Sequence, residues 1–309
     1  MRLLLFGCTG FVGRELLPIL LQAGHQLTVV SRRLARGYDA ERADGRLTWM
    51  QFDPASTSTW ADAGLLDALN QADAVVNLAG EPIAEKRWSP THRQLLETSR
   101  LETTSQLVKA IKACATPPKV LVNASAIGFY GSSLDQRFLE SSDPGDDFLA
   151  SLCQRWEAAA EAVPSAVRQV TLRIGIVLAA DGGALGKMLP IFRTGFGGPI
   201  GSGRQWMSWI HRSDLCALIL QSLTDESWSG VINAVAPEPV SMTAFCKQLG
   251  RSLGRPSLLP VPGPVLQVLL GDGAKVVLEG QQVASERLDA LNFSFRYPDL
   301  ASALAAATS

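Results

Sequence analysis

Three glycines near the start of the chain have the spacing of a dinucleotide-binding turn. Gly7, Gly10 and Gly13 follow a short apolar run and open an amphipathic segment. In a strand–turn–helix unit such glycines permit a tight turn, let the backbone approach a pyrophosphate and let the helix pack closely on the strand. The helix N-terminus offers unpaired N–H groups to the phosphate oxygens. The predicted cofactor contacts in this turn are Gly7, Thr9, Gly10, Phe11, Val12 and Gly13.

The end of the second apolar run indicates which dinucleotide is bound. NAD enzymes commonly place a carboxylate here to accept hydrogen bonds from the ribose 2′-OH, whereas this chain has Ser31, Arg32 and Arg33. A guanidinium can instead meet a 2′-phosphate through bidentate, charge-assisted bonds. The alternative is a solvated basic loop, which Arg36 would continue. The sequence favours NADP(H) as the cofactor.

The G-x-x-G-x-x-G spacing resembles that of the extended short-chain dehydrogenases/reductases. This resemblance implies that Asp53, after the third apolar run, contacts the adenine. It also implies that the cofactor ribose lies against the small residues of Leu78-Ala79-Gly80, at the end of the fourth run. Ordinary strand-end chemistry is the alternative at both places.

The catalytic dyad of such reductases is missing. Their usual Tyr-x-x-x-Lys pair supplies a phenol whose pKa the lysine lowers, but none of the three tyrosines here has lysine four positions on. When the sequence is aligned on Trp156-Glu157, the positions expected for the tyrosine and the lysine are occupied by Leu149 and Cys153. Any catalysis therefore needs a different proton donor.

Three residues are candidates for that donor. Ser125 ends the fifth apolar run and Tyr130 follows it, although the spacing from Tyr130 places the expected serine at Ala126. Ser125 therefore has a second interpretation, as a cofactor contact or a strand cap. His211 with Asp214 could form an acid/base pair, or both could orient the loop that enters a helix.

Short apolar runs alternate with helical patterns through the first half of the chain. This alternation predicts βαβ units and a parallel sheet with right-handed crossovers. The predicted strands are 3–6, 27–31, 47–52, 74–79, 120–125, 170–174 and 231–235, and the predicted helices are 12–23, 64–71, 90–113, 213–223 and 243–253.

The second part of the chain has a different character. From Gly182 onward, glycine clusters predict a flexible, loop-rich stretch, in which Phe196, Trp206 and Trp209 either line a pocket or form core. We expect an α/β fold: a Rossmann-type, doubly wound parallel sheet with a smaller C-terminal substrate-side lobe. The expected NADP-binding domain is 1–180, to which a strand near 231–235 returns, and the lobe is mainly 181–309.

Several stretches together resemble one atypical group of extended short-chain enzymes. The stretches are 99–104, 173–178, 197–203, 209–214 and 278–281. The group is often labelled "epimerase family protein", is similar to nucleoside-diphosphate-sugar epimerases, and includes members labelled cell-division inhibitor. The resemblance implies NADP contacts at Ser31, Arg32, Leu78, Ala79, Arg100 and Val177.

The sequence departs from sugar-nucleotide enzymes at the substrate side. Related enzymes bind the substrate diphosphate with an arginine shortly before the Ile-His pair, where this chain has Met207 and Ser208. A buried diphosphate without a cation is unfavourable. Arg204, in a glycine-rich loop nearby, is the alternative cation. Nucleotide sugars are therefore disfavoured as substrates.

Composition limits the classes of partner. The 309 residues carry a net charge of −1, which gives no electrostatic reason to expect nucleic acid or an anionic membrane. Five scattered cysteines and three separated histidines predict neither disulfides nor a metal site. No apolar run is long enough to span a bilayer, and we expect a cytoplasmic protein.

Two hypotheses for function follow. The first is an NADP-dependent oxidoreductase or epimerase that acts on an unidentified small molecule without the Tyr-Lys dyad. The second is an NADP-binding sensor or regulatory protein, with reduced catalysis, that reports to a protein partner, for example in cell division.

We predict that NADPH binds more tightly than NADH. Replacing Arg32 and Arg33 together with alanine should cost on the order of 1.5–3 kcal/mol per lost charge-assisted contact to the 2′-phosphate. NADH lacks that phosphate, so its affinity should change little. Titration of both cofactors against both proteins measures the difference, and equal affinities in the wild type would contradict the choice of NADP.

Overall fold

The described strands form a seven-stranded parallel sheet with three short pairs beside it. A computed structural model describes residues 1–33 and 38–308. The strands in that part of the chain are β1 (Arg2–Phe6), β2 (Gln26–Ser31), β3 (Leu47–Gln51), β4 (Ala74–Asn77), β5 (Val120–Ala126), β6 (Arg137–Phe138), β7 (Arg168–Ile174), β8 (Ile176–Leu178), β9 (Trp206–Met207), β10 (Trp209–His211), β11 (Gly230–Ala234), β12 (Val240–Ser241) and β13 (Gln282–Val283).

Helices connect these strands and extend to the C-terminal end. In the described residues they are α1 (Gly13–Gln22), α2 (Asp39–Ala43), α3 (Ala63–Gln71), α4 (Pro90–Ala113), α5 (Phe148–Glu161), α6 (Gly183–Arg193), α7 (Arg212–Thr224), α8 (Met242–Ser252), α9 (Gly263–Leu270), α10 (Lys275–Leu278), α11 (Glu286–Ala290) and α12 (Leu300–Thr308). None of the helices described is both long enough and apolar enough to cross a membrane.

The main sheet has the predicted doubly wound arrangement. Its seven strands in the described chain have the order β11-β7-β5-β4-β1-β2-β3, and all neighbours are parallel. The chain moves outward in one direction from β1 to β3 and in the other from β4 to β11. The switch point therefore lies between β1 and β4, where ligands bind at the carboxyl ends of such sheets.

Both faces of the sheet are buried, which explains the uninterrupted apolar runs. Successive residues of β1 alternate between two cores: Leu3 and Leu5 pack with α1 and α7 on one face. Leu4 and Phe6 pack with α3 and α4 on the other. The prediction of a Rossmann-type α/β fold is confirmed.

A second core forms the smaller C-terminal region. Phe192 of α6, Trp209 of β10, Phe245 of α8 and Leu304 of α12 are among its buried residues. The prediction that the stretch after Gly182 is loop-rich is wrong for α6. The spacing of buried Leu185, Leu189 and Phe192 is helical, and the flanking glycines obscured it.

The three aromatic side chains of this region have different environments. Trp209 is fully buried and belongs to the core, whereas Phe196 is 67% exposed. Trp206 is half-buried, and its indole N–H donates to the carbonyl oxygen of Leu134 at 2.8 Å. The three therefore do not form one common pocket or one common core.

The glycine turn is packed tightly on two sides and open on the third. Gly7 has φ +74°, and a Cβ there would lie 2.4 Å from the carbonyl carbon of Leu78. A Cβ at Gly13 would lie 2.0 Å from the carbonyl oxygen of Cys8. A Cβ at Gly10 would meet only the Gly7 carbonyl oxygen, at 3.2 Å, among the atoms described within 4 Å. Gly10 thus leaves space beside the N-terminus of α1, as a bound pyrophosphate requires.

We predict opposite results for valine at two of these glycines. Gly10→Val should fold normally and lose dinucleotide binding, because its side chain fills the open space. The control, Gly13→Val, should lose stability, because its side chain collides with backbone. Thermal unfolding by circular dichroism and NADPH titration separate the two effects. A natively folded Gly10→Val protein that binds NADPH normally would show that this turn is not the site.

Candidate functional site

The glycine turn contacts the second lobe as well as the sheet. A Cβ at Gly182 would lie 2.7 Å from the ring of Phe11. The Arg212 guanidinium donates to the Phe11 carbonyl oxygen at 3.2 Å and to Glu15 and Asp181 carboxylate oxygens at 2.6 Å each. Burial by itself would lower the pKa of Arg212, but these two carboxylates raise it. One side chain therefore ties the turn and α1 to the segment before α6.

Val177 and Val12 also lie where the turn meets its surroundings. Val177, in β8, pairs with Ile210 of β10. Its carbonyl oxygen lies 3.2 Å from the position of a Cβ at Gly183, and that same Cβ would be 3.0 Å from the Phe11 ring. Val12 packs against the core beneath α1. The structure thus brings Val177 close to the predicted cofactor turn.

Ser31 is buried at the end of β2 and fixes the backbone around it. Its hydroxyl oxygen lies 3.1 Å from that of Thr9 and accepts a hydrogen bond from the Arg33 N–H at 3.3 Å. The Gln51 amide donates to the Arg32 carbonyl oxygen at 3.3 Å. The side chains of Arg32 and Arg33 are exposed beside this fixed backbone. Two cations therefore stand at the end of β2, as the sequence predicts.

The Arg32 guanidinium faces a buried carboxylate. Its Nη2 atom is 3.8 Å from one oxygen of Glu81, and the Lys86 ammonium donates to the other oxygen at 3.1 Å. The Glu81 side chain is 10% exposed, whereas that of Arg32 is 63% exposed. Arg36, which would extend a basic loop, lies outside the described residues. Arg32 thus has an ionic partner from a distant part of the chain.

Asp53 lies at the surface after β3. One carboxylate oxygen accepts a hydrogen bond from the Ala55 N–H at 3.1 Å, and the carbonyl oxygen of Asp53 accepts one from the Thr59 hydroxyl at 2.7 Å. The residue therefore shapes the turn toward the short 3-10 segment Thr57–Ala61. Its contact with adenine stays a prediction.

The loop after β4 lies directly beside the glycine turn. The carbonyl carbon of Leu78 and the nitrogen of Ala79 are both within 2.5 Å of the position of a Cβ at Gly7. The Ala79 N–H donates to the side-chain oxygen of buried Asn77 at 3.2 Å. Residues 78–80 thus form one wall of the space above Gly7.

Arg100 reaches this wall from α4. Its guanidinium lies 3.0 Å from the position of a Cβ at Gly80 and donates to the carbonyl oxygens of Glu81 and Leu96 at 3.0 and 3.2 Å. It also lies over the ring of Trp156, 5.2 Å from the centroid. Burial lowers the pKa of Arg100. Arg100 thus projects from α4 toward residues 80–81, and its contact with the cofactor stays a prediction.

Ser125 is buried and bonded to an internal ion pair. Its hydroxyl donates to Glu157 at 2.5 Å, and both oxygens of Glu157 accept hydrogen bonds from Arg173, at 2.9 and 2.8 Å. The side chains of Glu157 and Arg173 are each 5% exposed. Burial would lower the pKa of Arg173, but Glu157 raises it. The environment of Ser125 favours a structural role over a catalytic one.

Tyr130 belongs to the same internal network. Its hydroxyl donates to the side-chain oxygen of Asn233 at 2.7 Å and accepts from Arg173 at 2.8 Å. The residue is 2% exposed, and burial raises the pKa of the phenol although Arg173 opposes the shift. Glu140 closes the network by accepting from the Asn233 N–H at 3.0 Å and from the Ser285 hydroxyl. This geometry favours a structural role for Tyr130 as well.

The two positions expected for the dyad lie on α5. Leu149 faces Gly128, where an added Cβ would be 3.4 Å from the leucine Cβ. Cys153 is 4% exposed, and burial raises the pKa of its thiol to about 12. Neither side chain supplies a proton donor for neutral pH. The residues at these two positions therefore do not replace the missing tyrosine and lysine as a proton donor and its partner.

His211 and Asp214 order the backbone at two separate places, the start of α7 and residues 296–297. The Nδ1 atom of His211 accepts a hydrogen bond from the Ser213 N–H at 3.2 Å, which caps the helix, and the ring lies 4.1 Å from that of Tyr297. Burial lowers the pKa of His211. Asp214 accepts from the N–H groups of Arg296 and Tyr297 at 2.7 and 3.1 Å. The geometry favours an orienting role over an acid/base pair: His211 orients the entry to the helix, as one interpretation of the sequence had it, whereas Asp214 orients residues 296–297.

Sequence reasoning missed the partners that organise these candidates. Glu81, Glu157 and Arg173 lie far along the chain from Arg32, Ser125 and Tyr130, the candidates that they respectively contact. The signal available for Arg173 was a charged residue inside an otherwise apolar strand pattern, which needs a buried counter-ion. No group of three or more His, Cys, Asp or Glu residues in the described part of the chain could hold a metal ion.

We predict a large loss of stability when the buried ion pair is broken. Arg173→Met should reduce the free energy of unfolding by about 3–5 kcal/mol, because it leaves Glu157 charged and buried. The control is Arg155→Met, which breaks the pair with Glu97 at 47% and 32% exposure and should cost below about 1 kcal/mol. Urea unfolding measures both, and equal losses would contradict a special role for the buried pair.

Comparisons with known proteins agree with this geometry. Residues 3–234 match the NAD dependent epimerase/dehydratase family, and residues 261–307 match a domain of unknown function, DUF1731. Epimerase family protein SDR39U1 of Homo sapiens is 40% identical over 98% of each chain. The chloroplastic SDR39U1 homolog of Arabidopsis thaliana is 43% identical over 97% of this chain and 84% of its own.

A solved structure is similar over the full length. The crystal structure of human epimerase family protein SDR39U1 (isoform 2) with NADPH has a TM-score of 0.86 and 37% identity, and covers 99% of each chain. Sequence and structure therefore lead to the same assignment. This chain belongs to the NAD dependent epimerase/dehydratase family, as a member similar to the SDR39U1 epimerase family proteins.

Proposed function

We propose that the chain binds NADP(H) over the glycine turn, with the adenosine 2′-phosphate at Arg32. The observation that carries this proposal is the pairing of an open face at Gly10 with cations at the end of β2. A related human protein was crystallised with NADPH, which supports the same choice. The family relationship alone does not separate NADP from NAD.

The residues present fit such a cofactor. Backbone N–H groups at the start of α1 would hold the pyrophosphate beside Gly10. Ser31 fixes the backbone from which Arg32 and Arg33 would reach the 2′-phosphate, and residues 78–80 with Val177 would border the ribose and nicotinamide end. When bound, the nicotinamide supplies a hydride or accepts one.

We further propose that the protein is an NADP-dependent oxidoreductase or epimerase acting on a small molecule. Met207 is buried and Ser208 is engaged, since its hydroxyl donates to the Gln281 carbonyl oxygen at 2.9 Å and accepts from the Val283 N–H at 2.9 Å. Neither position offers a cation for a substrate diphosphate. This supports a substrate other than a nucleotide sugar.

The lack of a proton donor at the two positions expected for the Tyr-Lys dyad favours a second function, that of a sensor. Leu149 and Cys153 carry no proton donor suited to neutral pH, and Ser125 and Tyr130 are held in an internal network. A protein that binds NADP(H) and reports its level to a protein partner needs no donor. The substrate-side lobe would then carry the partner surface.

Turnover and binding assays on the same variants separate the two functions. Purified protein with NADPH is tested against a panel of carbonyl compounds and sugar nucleotides, followed by Ser125→Ala, Tyr130→Phe and His211→Asn. In an enzyme, loss of the true donor should lower turnover by roughly 10²–10⁴-fold without changing NADPH affinity. Asparagine at 211 keeps a helix-capping oxygen, so its effect reports on chemistry more than on stability.

Three outcomes decide between the possibilities. Turnover that one variant abolishes supports the enzyme and names its donor. Full turnover in all three variants shows that the donor is another group. NADPH binding without turnover across the panel supports the sensor, and the absence of NADPH binding rejects both functions.

A further inference from the structure

A buried carboxylate stands beside the arginine that would hold the 2′-phosphate. Glu81 is 9% exposed, which is unusual for a carboxylate without a specific partner. Its two oxygens face different cations: Lys86 at 3.1 Å and Arg32 at 3.8 Å. The carboxylate therefore competes with any other anion that approaches Arg32.

The backbone of Glu81 is fixed by α4. Its N–H donates to the Ser99 hydroxyl at 3.0 Å, and its carbonyl oxygen accepts from Arg100 at 3.0 Å. The Ser99 hydroxyl itself donates to the Leu96 carbonyl oxygen at 3.2 Å. Because both backbone groups are bonded, the Glu81 main chain is fixed, and its side chain is 10% exposed and bonded to Lys86 at 3.1 Å. Its charge stays close when a ligand binds.

Topology places this contact across the cofactor turn. β1 lies between β2 and β4, so the residues after β2 and after β4 flank the carboxyl end of β1. Arg32 follows β2, Glu81 follows β4, and the glycine turn follows β1. The pair of Arg32 and Glu81 therefore borders the space in which the adenosine half of a dinucleotide would lie.

We propose that Glu81 is a specificity-determining residue that limits the preference for NADP(H) over NAD(H). The inference rests on the proposed function, in which Arg32 binds the 2′-phosphate. To do so, Arg32 must give up part of its interaction with Glu81, and the phosphate must approach a like charge. A cofactor with a 2′-OH in place of the phosphate neither displaces Glu81 from Arg32 nor brings a second negative charge close to Glu81.

An opposite effect, in which Glu81 orients Arg32 for the phosphate, is the weaker of the two. The Arg32 guanidinium nitrogen and the Glu81 oxygen are 3.8 Å apart, which exceeds hydrogen-bond length, and the Arg32 side chain is 63% exposed. The contact therefore restrains the guanidinium little. Repulsion between a carboxylate and a phosphate acts at longer range and needs no defined geometry. The net effect of Glu81 is therefore to weaken binding of the 2′-phosphate.

The test compares ligands that differ only in that phosphate. Affinities of wild type and Glu81→Gln are measured calorimetrically for NADPH, NADH, adenosine 2′,5′-bisphosphate and AMP. Glu81→Gln should raise both the NADPH/NADH and the bisphosphate/AMP affinity ratios by roughly 3- to 20-fold. The affinities for NADH and AMP should stay within about 2-fold, which also shows that the site is folded.

Two further variants make the test specific. Glu85→Gln removes the same charge from an exposed position in the same loop, where the described residues offer no ion pair, and should leave both ratios unchanged. Lys86→Met removes the cation that binds Glu81 from a side chain 62% exposed, and should lower the ratios, because Glu81 then competes more strongly for Arg32.

The outcomes separate this inference from the proposed function. Ratios that stay the same or fall in Glu81→Gln, while the wild type binds NADPH, overturn the role of Glu81 and leave the proposed function in place. Ratios that rise equally in Glu85→Gln also overturn it, because a general charge effect then suffices. A wild type that binds none of the four ligands overturns both.

Discussion

The ion pair between Arg173 and Glu157 is the constraint on which the interior of this protein depends. Two opposite charges removed from water stabilise the fold only if each is fully hydrogen-bonded. Both Glu157 oxygens are satisfied by Arg173, and the remaining donors and acceptors extend to Ser125 and Tyr130. The Arg173 guanidinium also lies 3.4 Å from the centroid of the Phe129 ring. Strands β5 and β7, helix α5 and the turn at Ile127–Tyr130 are thereby held in one arrangement.

This network explains why familiar polar residues are unsuitable for familiar chemistry here. A serine and a tyrosine after the fifth strand would serve catalysis if their hydroxyls faced a ligand. In this chain the same hydroxyls complete the hydrogen bonding of a buried charge, and moving either would leave that charge unsatisfied. Helix α5 contributes Glu157 to this internal network, and its positions Leu149 and Cys153 carry neither a phenol nor an ammonium group.

The sequence was informative wherever local rules determine structure. The bounds of α4 were predicted correctly, because Ser89 caps the first turn and Pro90 fits its first position. The glycine turn and the two arginines after β2 were identified from spacing alone. Local rules could not reveal that Arg32 faces Glu81 or that Ser125 binds Glu157, since these contacts join segments that only the tertiary fold brings together. Helix α6 was missed for another reason: glycines at both ends imitate a loop.

The bonds of Arg212 have a mechanical consequence for the two parts of the molecule. This residue opens α7 and joins the Phe11 carbonyl, Glu15 of α1 and Asp181 before α6. A rotation of the small region about the chain near Asp181 would stretch these bonds together, so the arginine acts as a stiff joint instead of a hinge. The glycine-rich segment beyond α6 is held as well, since the Gly201 N–H donates to the Val261 carbonyl oxygen and the Val261 N–H donates to the Pro199 carbonyl oxygen, each at 2.9 Å. The segment before α6 and the segment after it are therefore both fixed to neighbouring backbone, so the glycine turn and the small region are joined without a loose connection at either place.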